Sequence, residues 1–207
     1  MSHPINLAVI YYSATGTGTE IVNEMSKAAE DAGALVRVRK VSELAPPAAI
    51  GANPAWAAHH AATSTIPAPS FDDIEWADAV IFGSPTRFGN IASQLKQFLD
   101  TLSPLWSQNK LADKVYSGFT SATTRHGGHE STLLALYNTI HHFGGIIVPP
   151  GYTDPVKLVD GNPYGTSHLV EPGNEIGSVA ADTRNAARHQ ATRVVEIARA
   201  LKSGHAS

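Results

Sequence analysis

Short apolar runs alternate along the chain with longer amphipathic stretches, and this alternation limits the possible folds more than any other feature. Residues 5–12, INLAVIYY, are almost continuously apolar, which predicts a strand buried on both faces. Residues 19–32 follow with apolar side chains at helical spacing, and Gly33 comes where that helix would end. Repetition of this strand-helix order predicts an α/β fold, a parallel sheet with helices on both faces.

The rest of the chain continues the pattern. Further strands are predicted at 35–41, 79–83, 115–121 and 146–148, and further helices at 90–102, 130–143 and 180–202. The segments 42–75 and 153–177 interrupt the pattern, so we expect them to be insertions in a single domain that spans residues 1–207. Segment 42–75, in which a short helix is expected around 56–62, is compatible with either a functional role or a surface elaboration.

Composition excludes several classes of function. The chain has no cysteine, which excludes disulfides, thiolate metal sites and a cysteine nucleophile. Its formal net charge of −3 gives no general attraction to nucleic acid or to an anionic membrane. The N-terminus lacks the pattern of a signal peptide, and no apolar stretch is long enough to span a bilayer. We therefore expect a cytoplasmic protein without membrane insertion.

Residues 13–19, SATGTGT, join the first strand to the first helix and have the composition of a phosphate-binding loop. A helix start presents unpaired N–H groups and a partial positive charge, and the hydroxyl side chains add further donors. The loop has no lysine or arginine, which suits a permanently held monophosphate. From this loop alone, a plain strand-to-helix turn remains the alternative.

Two common nucleotide motifs do not fit this loop. A Walker loop needs Gly-Lys followed by Ser or Thr, and the chain has no Gly-Lys pair. The dinucleotide fingerprint needs a third glycine where Ile21 stands.

Two more loops follow predicted strands, and the carboxyl ends of parallel strands meet at the edge where such sheets bind ligands. Residues 83–90, GSPTRFGN, combine a rigid proline, an arginine and an aromatic, and can present N–H groups to a planar heterocycle. Asn90 is placed to cap the next helix. Residues 120–129, TSATTRHGGH, are polar and precede another helix. Decorated turns are the alternative for both.

Isolated residues are less decisive. His126, His129 and Glu130 have the side chains of metal ligands, but their spacing defines no ligand set, so no metal site is predicted. His142 either stabilises the end of its helix or points back over a ligand. Trp106 is compatible with a wall of a cleft and with an ordinary core position.

Together these residues resemble the flavodoxin superfamily and, more closely, the WrbA-type (type IV) NAD(P)H:quinone oxidoreductases. The motifs that carry the resemblance are YYS at 11–13 with the Gly/Thr loop, GSPTRFGN at 83–90, Trp106, HGGHE at 126–130, His142 and NPYG at 162–165. The resemblance implies a flavodoxin-like, doubly wound five-stranded parallel sheet in the order 2-1-3-4-5. It also implies bound FMN, NAD(P)H as co-substrate and a homo-oligomer, a dimer or tetramer.

The resemblance further assigns residues to the cofactor. Ser13, Ala14, Thr15, Gly16, Thr17, Gly18 and Thr19 would hold the phosphate. Pro85, Thr86, Arg87, Phe88 and Asn90 would line the ring and ribityl chain, and Ser121, Ala122, Thr123, Thr124, Gly127 and Gly128 would contact the other flavin edge. His142 would lie beside the flavin and Trp106 would wall the substrate pocket, with His142 and Arg87 as the candidate catalytic groups.

The implied function is FMN-dependent two-electron reduction of quinones to hydroquinones by NAD(P)H. The first loop departs from the family, since Thr15 and Thr17 stand where an aromatic and a histidine are usual, and it is closer to electron-transfer flavodoxins. A flavodoxin-type electron carrier is therefore the alternative, although such carriers dock through strong negative charge that this chain lacks. A phospho-receiver or scaffold on the same fold is a third, disfavoured alternative, because a receiver needs acidic residues where Ser13 and Ser84 stand. The choice between NADH and NADPH stays open.

Overall fold

The computed structural model describes residues 4–171 and 177–204, which form a parallel sheet covered by helices. The strands are β1 (Ile5–Tyr11), β2 (Ala34–Lys40), β3 (Ala79–Pro85), β4 (Val115–Ala122), β5 (Ile146–Ile147) and β6 (Thr166–Leu169). The helices are α1 (Thr17–Asp31), α2 (Pro47–Gly51), α3 (Pro54–Ala62), α4 (Phe71–Trp76), α5 (Ser93–Thr101), α6 (Ser103–Trp106), α7 (His129–Phe143), α8 (Val156–Asp160) and α9 (Ala181–Gly204).

The strand order is β2-β1-β3-β4-β5 with parallel pairing throughout, which confirms the flavodoxin-like α/β prediction. The described residues add one strand to the five predicted, so that the sheet has six. The first half of β4 pairs with β5, and its second half, Phe119–Ala122, pairs with β6. Part of segment 153–177, expected to be an insertion outside the sheet, therefore supplies a strand. The polar sequence Thr166–Leu169 has no apolar run to reveal it.

Two hydrophobic cores lie on the two faces of the sheet. Leu7 and Val9 of β1 pack with apolar residues of α1 and α9, whereas Ala8 and Ile10 pack with those of α4, α5 and α7. Because side chains alternate between faces, burial on both sides explains why β1 and β3 are almost continuously apolar. Each large side chain buried in these cores contributes about 1.5–3 kcal/mol.

Segment 42–75 folds into the short helices α2, α3 and α4, of which only a helix around 56–62 was expected. α2 and α4 have five and six residues, which is too short for a periodic pattern. The start of α3 is fixed by Asn53, whose side-chain oxygen accepts hydrogen bonds from the amides of Ala55 and Trp56 at 3.1 and 3.2 Å. This cap sets the position from which Trp56 projects.

Asn90 does not cap the following helix, contrary to expectation. α5 begins at Ser93, and the Ala92 amide donates to the Ser84 hydroxyl at 2.8 Å, while the Asn90 side chain accepts from the Ile91 amide. Two extended residues after Asn90 thus delay the helix.

No helix within the described ranges is long and apolar enough to cross a membrane. In the same ranges, no group of three or more acidic or histidine side chains is arranged to hold a metal ion.

Candidate active site

The three polar loops meet at the carboxyl edge of the sheet and enclose a cavity of about 350 Å³. Its described lining consists of Ser13, Ala14, Thr15, Thr17 and Gly18 from the first loop, Pro85, Thr86 and Arg87 from the second, Ser121, Ala122 and Thr123 from the third, and Asn53, Trp56 and Val170. We call this space the cradle. A neighbouring cavity of about 530 Å³ shares Trp56 and Arg87 with it and is also lined by Phe88 and Asn90.

The first loop carries unpaired backbone donors, and two of the residues that bear them, Thr15 and Thr17, line the cradle. The Ser13 hydroxyl accepts hydrogen bonds from the amides of Gly16 and Gly18 at 3.1 and 3.2 Å, which fixes the loop from inside. The amides of Thr15, Thr17 and Thr19 have no acceptor within the described part of the chain. Unpaired amides at the start of a long helix, beside threonine hydroxyls, are the donor set of a phosphate site without a cation.

The second loop contains a tight, strained turn. The Arg87 amide donates to the Asn90 carbonyl at 2.7 Å, and the Asn90 amide donates back to the Arg87 carbonyl at 3.1 Å. Between them Phe88 has a φ of 55°, a left-handed conformation that is unfavourable for an aromatic residue, and its side chain is fully exposed. Strain of this kind clusters at functional sites.

The second and third loops contact each other where only glycine fits. A Cβ on Gly128, whose φ is 95°, would lie 2.8 Å from the Cα of Gly89. The Thr86 amide donates to the Ser121 carbonyl at 2.8 Å, a second contact between the two loops. In the third loop the Gly127 amide donates to the Thr124 carbonyl and closes a turn. His129, considered above for a metal, is buried with Nε2 3.2 Å from the His168 carbonyl oxygen.

The structure does not bring Trp106 and His142 to the cradle. Trp106 ends α6, just before β4, and His142 lies near the end of α7, just before β5, so both are at the amino edge of the sheet. The amide of Asp113 donates to the Gly144 carbonyl and holds these two stretches together. Within one chain, the expectations that His142 lies beside the flavin and that Trp106 walls its pocket are therefore not met.

Sequence reasoning missed the first insertion as part of the site. Trp56 and Asn53 line the cradle, and Glu43 accepts hydrogen bonds from Trp56 Nε1 at 3.1 Å and the Tyr12 hydroxyl at 2.8 Å. Burial alone would raise the pKa of Glu43, but hydrogen bonds, the Ala45 amide foremost, outweigh it and hold the pKa below its ordinary value. Glu43 is thus an ionised anchor next to the cradle.

His59 of the same insertion braces the first loop from outside. Its Nδ1 lies 3.0 Å from the Ala14 carbonyl oxygen, and its Nε2 lies 2.8 Å from the Thr19 hydroxyl. Burial, reinforced by the charge of Lys40, lowers the pKa of His59. With a neutral ring, the Nδ1–H donates to Ala14 and Nε2 accepts from Thr19. No short motif links position 59 to this loop, so the sequence carried no signal for it.

Comparison with known proteins now gives the family. Residues 5–154, most of the chain, match the family model described as NADPH-dependent FMN reductase. The chain belongs to this family. Relatives include an NAD(P)H dehydrogenase (quinone) of Deinococcus radiodurans, 44% identical over 198 residues that cover 95% of this chain and 97% of that protein. NAD(P)H dehydrogenase (quinone) 3 of Rhizobium meliloti is 36% identical over 204 residues, covering 96% and 94%.

Among solved structures, this chain is similar to one described as a flavodoxin, WrbA-like protein from Agrobacterium tumefaciens. The TM-score is 0.68 and the identity 24%, over 95% of this chain and 98% of that chain. A flavodoxin from the domain Archaea gives a TM-score of 0.60 at 14% identity, over 94% and 99%. These likenesses support the fold alone.

The residues of the cradle fit FMN, the flavin of this family. The first loop offers unpaired amides and hydroxyls to a phosphate monoester, and Pro85, Thr86, Ser121, Ala122 and Thr123 of the other two loops line the same cavity. Arg87 places a positive charge at the lining, and its guanidinium donates only to the Thr86 carbonyl within the described residues. A phosphate-binding loop without a charged side chain, in a cavity that one arginine lines, suits a cofactor that stays bound.

Proposed function

We propose that the protein is an FMN-dependent enzyme that reduces quinones to hydroquinones by two electrons, with NAD(P)H as the electron donor. The observation that carries the proposal is the 44% identity to an NAD(P)H dehydrogenase (quinone) over 95% of the chain, a span that includes all three loops of the cradle. The WrbA-type subfamily is part of this proposal, supported by the PTRFGN sequence of the second loop.

The chain's residues contribute binding and electrostatics. When bound, FMN would supply the redox-active ring for a two-electron reduction of a quinone by NAD(P)H. The amides and hydroxyls of residues 13–19 would hold its phosphate. The residues that would line its other parts are Pro85, Thr86, Arg87, Phe88, Asn90, Ser121, Ala122, Thr123, Thr124, Gly127 and Gly128. Arg87 stabilises negative charge that develops on the quinone oxygens, because a fixed cation in a partly dry site needs no reorganisation during the reaction. Water or a histidine supplies the protons.

We further propose that the enzyme is a homo-oligomer, a dimer or a tetramer, in which another copy brings Trp106 and His142 to the cradle. The roles assigned to these two residues need such an arrangement, since in one chain they are at the opposite edge of the sheet. The second insertion supports it with the exposed side chains of Leu158 and Val159, at 72% and 66% exposure, and Tyr152 directly before the insertion is 58% exposed. Patches of this kind mark interfaces. We expect the enzyme in the cytoplasm.

The alternative function is electron carriage by bound FMN without intrinsic NAD(P)H:quinone activity. The hydroxyl-rich first loop favours it. A steady-state assay separates the two: the purified protein with FMN should oxidise NADPH or NADH only when benzoquinone is present, with equimolar hydroquinone formed. A carrier instead gives no turnover until a separate reductase is added, and that result would contradict the proposal.

A further inference from the structure

Trp56 lies on α3 and lines both the cradle and the neighbouring cavity, so its indole forms part of the partition between them. The side chain is half-buried. Among the described residues that line the cradle, Trp56 is the only aromatic one. A flat heterocycle that enters the cradle therefore meets a single flat wall.

The indole plane is held by a network that joins three parts of the fold. Trp56 Nε1 donates to Oε2 of Glu43, and the Tyr12 hydroxyl at the end of β1 donates to the same oxygen. The other oxygen, Oε1, accepts from the Gln94 side chain of α5 at 2.8 Å and from the amides of Leu44 and Ala45. Both oxygens of Glu43 are thus occupied, and the indole cannot rotate without releasing a charge-assisted hydrogen bond.

The first insertion therefore does more than cover the surface. It carries the tryptophan, the carboxylate that fixes it and the asparagine that starts the helix, all next to the cradle. A tryptophan serving only to anchor α3 would need the hydrogen bond to Glu43, but would not need to project its ring into the lining.

We propose that Trp56 is the aromatic wall against which the flavin ring packs, and that Glu43 is the positioning residue that fixes its plane. The proposal rests on FMN binding in the cradle and is independent of which quinone is reduced. Stacking of a base-like ring on an aromatic side chain contributes about 1–3 kcal/mol, a factor of roughly 5 to 150 in affinity. Because the face of an aromatic ring is electron-rich, the wall also disfavours extra negative charge on the flavin and lowers its reduction potential.

The test compares Trp56→Leu, Trp56→Phe and Glu43→Gln with the control Trp76→Leu. Trp76 lies away from the cradle, where its ring packs against the guanidinium of Arg37 at 4.1 Å. For each full-length variant, the dissociation constant of FMN, the fluorescence yield of bound FMN and its midpoint potential are measured. We expect Trp56→Leu to weaken FMN binding about tenfold and to raise both fluorescence and potential. Trp56→Phe should recover most of each change, and Glu43→Gln should fall between.

The proposal is overturned if Trp56→Leu binds FMN as tightly as Trp76→Leu with unchanged fluorescence and potential. If Trp56→Leu has no cooperative thermal transition, the folded variant Glu43→Gln decides instead: unchanged FMN affinity, fluorescence and potential in that variant also overturns the proposal. A wild-type protein that does not bind FMN removes the proposed function together with this inference. If the wild type binds FMN and substitution of Trp56 changes none of the three readouts, the inference fails and the proposed function stands.

Discussion

The indole N–H of Trp106 donates to the main-chain oxygen of His142 at 2.9 Å, and this pair lies at the amino edge of the sheet, away from the cradle of the same chain. Trp106 is 55% exposed, so its ring is available to a second copy. We predict that Trp106→Leu lowers the quinone-reductase activity of the oligomer but leaves the FMN affinity of the purified protein within twofold of wild type. Unaltered turnover in this variant would show that Trp106 serves no neighbouring site.

Ser13 fixes the first loop through two amides, so its hydroxyl should matter for phosphate binding. We predict that Ser13→Ala weakens FMN binding about tenfold, since it leaves the Gly16 and Gly18 amides without their internal acceptor. Riboflavin, which lacks the phosphate, is the control ligand, and its affinity should change little. Equal weakening for both ligands, measured by flavin fluorescence titration, would indicate that Ser13 acts on the ring site instead.

Gly128 sits where the second and third loops touch. We predict that Gly128→Ala destabilises the protein by about 1–3 kcal/mol, because alanine adopts a positive φ poorly and its Cβ would clash with Gly89. The matched control is Gly51→Ala at the end of α2, where an added Cβ meets nothing within 4 Å. That change should be neutral or slightly stabilising. Denaturant unfolding checks both, and similar stability for the two variants would contradict the prediction.

Lys157 and Asp160 form an ion pair within α8, the helix that precedes β6, and their side chains are 0% and 2% exposed. We predict that Lys157→Met costs about 3–5 kcal/mol, because it leaves a buried carboxylate without its partner. The double variant Lys157→Met/Asp160→Leu should recover most of that loss. Urea unfolding of both variants measures the coupling, and additive losses would argue against a coupled pair.

Asp73 links α4 to β2 through Arg39 and Arg37. Burial acts to raise its pKa, but hydrogen bonds from Arg39 and Ser70 outweigh burial and hold the pKa below its ordinary value of 3.8. A carboxyl with a depressed folded pKa contributes stability above its unfolded pKa and loses it as the pH falls through the folded value. We therefore predict that wild type loses stability below about pH 4 more steeply than Asp73→Asn. Parallel pH profiles of Tm would refute this role.

Much of the fold followed from the sequence, because strands that are buried on both faces, such as β1 and β3, are almost continuously apolar. The position of residues 13–19 between a buried strand and a helix also followed from the sequence, whereas their role in phosphate binding stays a prediction. β6 could not be predicted, because it is four residues long, polar and paired only with the second half of β4.

The separation of Trp106 and His142 from the cradle of their own chain has a simple physical origin. Helices of a parallel sheet run opposite to the strands, so residues at helix ends such as Trp106 and His142 lie at the amino edge of the sheet. The contacts of Glu43 with Trp56 and Gln94, by contrast, form only when segments distant in sequence pack together. No local sequence pattern predicts such contacts.

An anaerobic absorbance titration tests the central claim most directly. FMN bound to the purified protein should lose its visible absorbance on addition of one equivalent of NADPH or NADH, and one equivalent of benzoquinone should restore it with formation of hydroquinone. Bound FMN that neither nucleotide reduces, although dithionite does, would contradict the assignment as an NAD(P)H:quinone oxidoreductase.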